Sequence, residues 1–365
     1  MKIAIKTFGL LIFLLAGQFA FGQTNKEKAY EKGMEAIKLT DDGNYTQAIS
    51  LLKEAKKLDP ENINYPYELA YTYYLSKDYE TAGKYLEGIL KHKDVTDQVY
   101  QLLGNCYDNL KNSGKAMDTY KAGLEKFPNS GKLYFEMGIV KLGKNENIKA
   151  LDYFENGIKV DPKHPSNYYW ASKLYFISSE KVWGMIYGEL FMNLERNSDR
   201  TMEISKLLFD TYKDQIKFLS DTSITVSFSK NATIPLNDII DMNDAQGIKL
   251  PFGVGIYEPT LLLSAVNEKA IDINSLDRIR KNFIELYFKK NNELKYPNVL
   301  FDYQNKIIGT GNISAYNHWI LMKGDESGFE NWLSANEEEW NNFISWFEDN
   351  QILIDNNHKF YSGQY

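Results

Sequence analysis

The sequence has few of the residues that bind metals or form covalent links. Cys106 is the only cysteine among 365 residues, so an intramolecular disulfide is excluded. Only four histidines occur, at positions 92, 164, 318 and 358, and no two of them have the i, i+4 spacing of a helical zinc site. The sequence therefore predicts no bound metal, and we interpret Cys106 as a small buried residue rather than a reactive thiol.

Catalytic motifs are also missing. Gly253 and Gly255 lack the Lys and the Ser or Thr of a phosphate-binding loop and are interpreted as a turn. Asp238 and Asp241 lack the spacing of a calcium loop, and no Gly-x-Ser-x-Gly elbow occurs. The acidic run Glu337–Glu339 is explained by the positive end of a helix dipole. We therefore predict neither enzyme activity nor a cofactor.

The chain has no block of basic residues. It contains 42 Lys and Arg against 49 Asp and Glu, a net charge of −7, and the two signs are interspersed. A nucleic acid or an anionic membrane surface would be matched by a basic patch, so neither is predicted as a partner.

The N-terminal segment, residues 1–22, has the pattern of a secretory signal peptide. Lys2 and Lys6 flank the start of a mostly apolar stretch, and Ala20-Phe21-Gly22 is a small-x-small cleavage signal. An uncleaved membrane anchor is the alternative, although the apolar run is short for a spanning helix. No Cys follows the run, so bacterial lipoprotein attachment is not predicted. We expect export to the periplasm or the cell exterior of a bacterium, with a mature chain that starts at Gln23.

What the sequence does contain is a fixed period between position 29 and about position 198. One set of small residues recurs at intervals of 34 positions: Ala48, Ala82, Ala116, Ala150 and Gly184. A second set lies 12 positions before the first: Ala36, Ala70, Gly104, Gly138 and Ser172. A fixed period of this length indicates a helical solenoid.

The pattern resembles the tetratricopeptide repeat in four respects. These are the period, the small residues at the eighth and twentieth places, a closing Pro, and the aromatic residues at the eleventh place: Tyr73, Tyr107 and Tyr175. The resemblance implies repeats at 29–62, 63–96, 97–130, 131–164 and 165–198, each made of two antiparallel helices. The fifth repeat departs from the pattern because it has no closing Pro. The family is a binding scaffold in unrelated systems, so the resemblance implies binding and says little about activity.

In such repeats the first helices line a concave face that meets the ligand. Carried over by place, the resemblance implies these partner-binding residues: Asn64, Tyr67, Tyr71, Tyr74, Gln98, Gln101, Asn105, Asp108, Asn109, Lys132, Phe135, Ile139, Tyr169 and Lys173. The third repeat forms a polar strip of amides suited to a peptide backbone, between aromatic and apolar neighbours. Only two of these residues are basic, which argues against a carboxylate clamp. A groove filled by the protein's own C-terminal part is the alternative.

The pattern changes after the repeats. Residues 199–219 are amphipathic and predict a capping helix with this apolar stripe: Ile204, Leu208, Tyr212, Ile216 and Leu219. Ser223–Ser229 alternates apolar and polar residues and predicts a short strand. The aromatic-rich fifth repeat is expected to pack against the C-terminal domain, residues 220–365, which is predicted to be mainly helical. Its last helix should start after Asn336.

The sequence therefore predicts a mainly α fold, with a tetratricopeptide-repeat solenoid over residues 23–198, a capping helix and a helical domain with a minor β element. The predicted function is a non-catalytic scaffold or adaptor of the bacterial cell envelope that binds a protein or peptide. One alternative is a hydrolase-like enzyme, which a deep C-terminal pocket with two converging ionisable groups would favour. Another is a homo-oligomeric structural protein.

Overall fold

A computed structural model describes residues 24–220, 223–230 and 251–364. The predicted signal peptide and the Asp238 and Asp241 pair lie outside the described residues. Within them the chain forms 17 α-helices and one two-stranded sheet, which confirms the predicted mainly α fold with a minor β element. The chain divides into two compact units, Met1–Gly123 and Leu124–Tyr365. The domain boundaries proposed at residues 198 and 219 remain a prediction.

The first unit consists of helix pairs that follow the predicted repeats. The helices are α1 (Asn25–Asp41), α2 (Tyr45–Leu58), α3 (Asn64–Leu75), α4 (Tyr79–Ile89), α5 (Asp97–Asn109) and α6 (Ser113–Lys126), the last of which contains the division between the units. The turn within each pair has one residue with positive φ: Gly43 at 78°, Lys77 at 67° and Lys111 at 63°. These residues are 34 positions apart, so the period extends to the backbone conformation.

Small residues let the two helices of each pair approach closely. The alanines at the eighth and twentieth places of the first two repeats are fully buried. In the third repeat, a Cβ on Gly104 would lie 2.0 Å from the Tyr120 ring. Neighbouring repeats are joined by a buried hydrogen bond of 3.0 Å between the hydroxyls of Thr40 and Thr72. Cys106 is buried as predicted, and burial raises the pKa of its thiol to about 12.

The second unit begins with the last two repeats and the cap. Its first helices are α7 (Gly131–Leu142), α8 (Asn147–Val160), α9 (Pro165–Phe176), α10 (Lys181–Leu194) and α11 (Asp199–Gln215). Every side chain from Val182 to Asn193 in α10 is buried. This helix is the second helix of the fifth repeat, and its burial on all sides agrees with the prediction that this repeat packs against the C-terminal part.

The predicted capping helix is shorter than expected. It ends at Gln215, because Ile216 adopts an extended conformation and the carbonyl of Gln215 accepts a hydrogen bond of 3.1 Å from the Ser227 N–H. Residues Ile216–Ser220 form strand β1, which pairs antiparallel with β2 (Ser223–Val226). The stripe of the predicted helix therefore ends early, and Leu219 is 66% exposed.

Two smaller expectations for the C-terminal part also change. The predicted strand stops at Val226, two residues before the fully buried Phe228. The pair Gly253 and Gly255 is not a loop turn. It belongs to one turn of π-helix, Gly253–Tyr257, which runs directly into the next α-helix.

The remaining helices form one aromatic-rich core with the fifth repeat. They are α12 (Glu258–Ala265), α13 (Ile273–Lys289), α14 (Val299–Gly309), α15 (Ile313–Leu321), α16 (Glu326–Ala335) and α17 (Glu337–Asp349), with short 3-10 turns at Asn292–Leu294 and Ser362–Gln364. The last helix starts after Asn336, as predicted. No helix in the described part of the chain is both long and apolar enough to span a lipid bilayer.

The chain ends in an irregular segment, residues 350–364, which we call the tail. It buries Ile352, Ile354 and Phe360 in the core of the second unit. The Ser362 hydroxyl donates a hydrogen bond of 2.6 Å to the carboxylate of Glu155 in α8. Two tyrosine hydroxyls, from α9 and α10, donate to the same carboxylate at 2.7 Å. Burial raises the pKa of Glu155 despite these donors.

The close helix approach can be tested with two glycines. Gly138→Ala is expected to lower the free energy of unfolding by about 1–3 kcal/mol, because its Cβ would lie 2.3 Å from Cε1 of the buried Phe154. Gly88→Ala is the matched control, since no atom lies within 4 Å of a Cβ there. Alanine favours the helix, so this change should raise the free energy of unfolding by about 0.5–1 kcal/mol. Equal effects of the two changes in urea denaturation would contradict the packing argument.

The contact between the tail and Glu155 predicts a pH dependence. A raised pKa means that the folded protein binds this proton more tightly than the unfolded chain does. The resulting stabilisation is complete below the unfolded pKa, about 4.3, and is lost as the pH rises through the folded value. The difference in free energy of unfolding between wild type and Glu155→Gln should therefore shift in favour of wild type as the pH falls from about 7 to about 4.5. A difference that is constant over this range would refute the prediction.

Candidate functional site

The predicted partner-binding residues of the second and third repeats lie in the first unit, on α3 and α5. Asn64, Tyr71 and Gln98 are exposed, and Tyr71 is 37% exposed despite its large ring. Tyr67 is half-buried, and burial raises its pKa to about 12. We call the exposed surface of α1, α3 and α5 the first-helix face.

The polar strip of the third repeat is largely engaged within the protein. The side-chain carbonyl of Asn105 accepts a hydrogen bond of 2.5 Å from the Tyr120 hydroxyl, and Asp108 accepts one of 2.9 Å from Ser113. The Asn109 amide donates to the backbone carbonyl of Asn105 at 2.9 Å. These groups therefore position α6 against α5, and a partner would have to share them.

One contact joins the two repeats on this face. The Asn109 amide also donates to the Tyr74 hydroxyl at 3.2 Å. The Tyr74 ring in turn packs edge-on against Tyr79, with ring centroids 5.3 Å apart. Of the predicted residues, the structure thus brings Tyr74, Asn105 and Asn109 together as a connected set.

The sequence interpretation missed two exposed residues on the first repeat. Tyr30 is 64% exposed and Met34 is 50% exposed, both on α1. Tyr30 occupies the second place of its repeat, 34 positions before Asn64. The 34-residue period that indicates the other residues therefore also indicates Tyr30.

In the second unit the predicted residues of the fifth repeat contact α11. Tyr169 is 6% exposed, and its hydroxyl donates to Glu203. Lys173 donates to the same carboxylate at 2.6 Å. The Arg200 guanidinium lies 5.0 Å from the Tyr169 ring centroid and donates to Ser166 at 3.1 Å. A partner could contact the Tyr169 ring only by displacing α11, whereas the Lys173 side chain is 29% exposed.

The spacing of those contacts explains how α11 caps the repeats. Glu203 lies 34 positions after Tyr169, and Arg200 lies 34 positions after Ser166. The helix therefore occupies the place of the first helix of a sixth repeat.

The predicted residues of the fourth repeat are partly covered. The Phe135 ring packs 5.7 Å from the ring of His164, measured between centroids, and Lys132 and Ile139 are half-buried.

Two ionisable groups converge in the C-terminal core, as an enzyme site there would require. Arg280 of α13 donates two hydrogen bonds to Glu189 of α10, at 2.6 and 2.9 Å, and each side chain is 5% exposed. Glu189 also accepts from Gln304 at 2.5 Å and from Tyr316 at 2.9 Å. The carboxylate is therefore saturated by its own neighbours.

The cavity beside this pair is small. It has a volume of ≈ 20 Å³ and is lined by Glu189, Arg280 and mostly apolar side chains. That volume holds about one water molecule. No sequence pattern indicates the pair, because its members are 91 positions apart and form no local motif. Among the described residues, no three His, Cys, Asp or Glu side chains are placed to hold a metal ion.

Two tetratricopeptide-repeat families match the sequence, at residues 39–106 and 97–129. No curated protein is significantly similar to the chain.

Several solved structures are similar over about half of the chain. Pseudomonas aeruginosa pilF is 19% identical, with a TM-score of 0.44, and the match covers 52% of this chain and 86% of that one. PilW, a type IV pilus biogenesis factor, is 16% identical, with a TM-score of 0.41 and coverage of 51% and 84%. YrrB, a repeat protein with an unusual peptide-binding site, is 18% identical, with a TM-score of 0.34 and coverage of 56% and 100%. Similarity at this level does not extend to function.

The residues that these families match contain the recurring features described above. These are the helix pairs, the small residues at the eighth and twentieth places and the turns with positive φ. Residues 39–129 are therefore tetratricopeptide repeats, and the chain is a tetratricopeptide-repeat protein.

Proposed function

We propose that this protein is a non-catalytic scaffold or adaptor of the bacterial cell envelope, which holds a protein or peptide partner along the first-helix face of repeats one to three. The observation that carries the proposal is the exposure of Tyr30, Met34 and Tyr71 on α1 and α3. At the fifth repeat, by contrast, the Tyr169 ring is buried against α11. The exposed aromatic and apolar side chains of α1 and α3 are therefore available to a partner.

The chemistry of the face suits a polypeptide. Tyrosine provides a large contact area at a low cost in conformational entropy. The exposed amides of Asn64 and Gln98 can each donate to and accept from a peptide backbone. The lysines of α1 on this face alternate with acidic residues, which disfavours a nucleic acid.

The proposed location rests on the N-terminal pattern of the sequence. A positive end, a short apolar run and a small-x-small signal are typical of export. Removal of residues 1–22, which contain two Lys and no acidic residue, leaves 40 basic and 49 acidic residues and a net charge of −9.

Export predicts a shortened mature protein. When the full chain is expressed in a Gram-negative host, mass spectrometry of the periplasmic fraction should find a protein that begins at Gln23. A full-length protein that stays with the membrane fraction would support an uncleaved anchor instead.

The first-helix face can be tested with a paired substitution. Tyr71→Ala with Gln98→Ala should reduce the capture of partners from an envelope extract by about tenfold or more, since a buried interface tyrosine contributes about 2 kcal/mol. Both residues are exposed, so the fold should be retained. Quantitative cross-linking mass spectrometry would give the amounts captured.

The matched control is Tyr45→Ala with Gln47→Ala, which removes the same two side-chain types from α2 instead of the first-helix face. This control should capture partners as well as the wild type does. The same set and amounts of partners with both double variants would exclude the first-helix face as the binding surface.

A further inference from the structure

A second concave feature of the first unit lies away from the first-helix face. It is a notch lined by parts of α2, α3 and α4 and by the connections that follow α2 and α4, with a volume of ≈ 430 Å³. None of the predicted partner-binding residues lines it. Its size falls within the range of protein sites that hold small ligands or a few side chains.

The charges that line the notch are of one sign. Its ionisable side chains, apart from Tyr85, are Lys56, Lys84 and His92. Both lysines are exposed, and within the described residues neither has an acidic partner in ion-pair contact. The notch therefore presents two ammonium groups that can pair with an incoming anion.

Of the nearby acidic groups, Glu61 is exposed, while Asp59, Glu87 and Asp94 have partners, and Lys84 adds to the electrostatic stabilisation of the Glu87 carboxylate. Asp59 accepts from the Asn62 amide at 3.4 Å, and Glu87 accepts from Lys115 at 3.2 Å. The Asp94 carboxylate lies 3.8 Å from Nδ1 of His92. The same nitrogen accepts a hydrogen bond of 3.2 Å from the backbone N–H of Asp94. When neutral, the His92 ring therefore carries its proton on Nε2 and remains a donor.

Apart from Asn62, the rest of the lining is apolar, and it offers no free aromatic face. Pro60, Ile63, Pro66 and Ile89 supply aliphatic contacts. The Tyr85 ring is already covered, because Lys56 lies 5.1 Å from its centroid and Tyr73 stacks on it at 5.7 Å. A nucleobase would need an uncovered ring to stack on. An aliphatic side chain would not.

Gly88 lines the notch and leaves space in it, because glycine has no side chain. Glycine within a helix costs about 0.8–1.0 kcal/mol relative to alanine. Yet a Cβ at Gly88 would meet no atom within 4 Å, so packing inside the protein does not require this glycine. The space that it leaves open belongs to the notch.

We propose that the notch is a second binding site, which takes an acidic peptide segment with a Glu or Asp carboxylate next to an aliphatic side chain. The carboxylate pairs with Lys56 and Lys84, and the aliphatic side chain packs on Ile63 and Ile89. The site is independent of the first-helix face. A scaffold with both surfaces can hold two polypeptide segments at once.

The test uses the mature chain and capped synthetic hexapeptides in which two acidic residues lie between two aliphatic residues (Leu, Ile or Val), with a glycine at each end. Titration calorimetry should show that acidic peptides bind and that their Gln or Asn analogues bind at least about tenfold more weakly. Binding should also weaken with added salt, because exposed charges are screened. A complete lack of acidic binders at millimolar peptide would overturn the proposal.

Two variants assign the binding to the notch. Lys56→Gln with Lys84→Gln should weaken binding at least about tenfold. The control, Lys57→Gln with Lys91→Gln, makes the same change in net charge at neighbouring exposed lysines that do not line the notch. Its affinity should stay within about twofold of the wild type. Equal losses in the two double variants would show a general charge effect and overturn the proposal.

Gly88→Leu should close the notch without loss of fold, since leucine favours a helix and the added side chain meets open space. Peptide binding should then be lost while the melting temperature is kept or raised. Retained binding would refute the proposal. Tyr71→Ala with Gln98→Ala should leave peptide binding unchanged, so failure of this site and failure of the first-helix face are distinguishable.

Discussion

The repeats depend on the close approach of two helices within each pair. At Gly104 and Gly138, an aromatic ring from the second helix occupies the space that a Cβ would fill. The small residue is therefore required by the ring opposite, and the many atom contacts between them hold the helices in one arrangement. A small residue stands at this place in every repeat, at intervals of 34 positions, and the connecting turns recur at the same interval.

In the second unit a buried ion pair adds a different constraint. Glu189 and Arg280 connect α10 to α13, and the bonds from Gln304 and Tyr316 extend the connection to α14 and α15. A buried pair of this kind adds little net stability, but loss of one partner leaves an uncompensated charge. The pair therefore favours one relative arrangement of these helices. The same helix, α10, is also the last element of the repeats, so the C-terminal helices pack directly on the fifth repeat.

The two proposed surfaces of the first unit differ in chemistry. The first-helix face exposes Tyr30, Met34 and Tyr71 together with amides and charged side chains of both signs, whereas the notch combines two lysines and a histidine with mainly aliphatic residues. Much of the polarity predicted for the face is used internally, because Tyr120 and Ser113 of α6 bond to Asn105 and Asp108. The third repeat therefore offers fewer polar groups to a partner than its sequence indicates. This favours partners that bury side chains over partners that offer only a backbone.

The sequence by itself determined the helix pairs, their small contact residues, the start of α17 and the fifth repeat as the place of contact with the C-terminal part. These features depend on local periodicity and on residue size, which a linear pattern records. Tertiary structure alone decided which polar groups are free. Asn109 meets Tyr74 across 35 positions and Glu189 meets Arg280 across 91, and no local pattern encodes either distance. It also decided that Ile216 begins a strand, because the backbone of that segment pairs with β2 instead of continuing its helix.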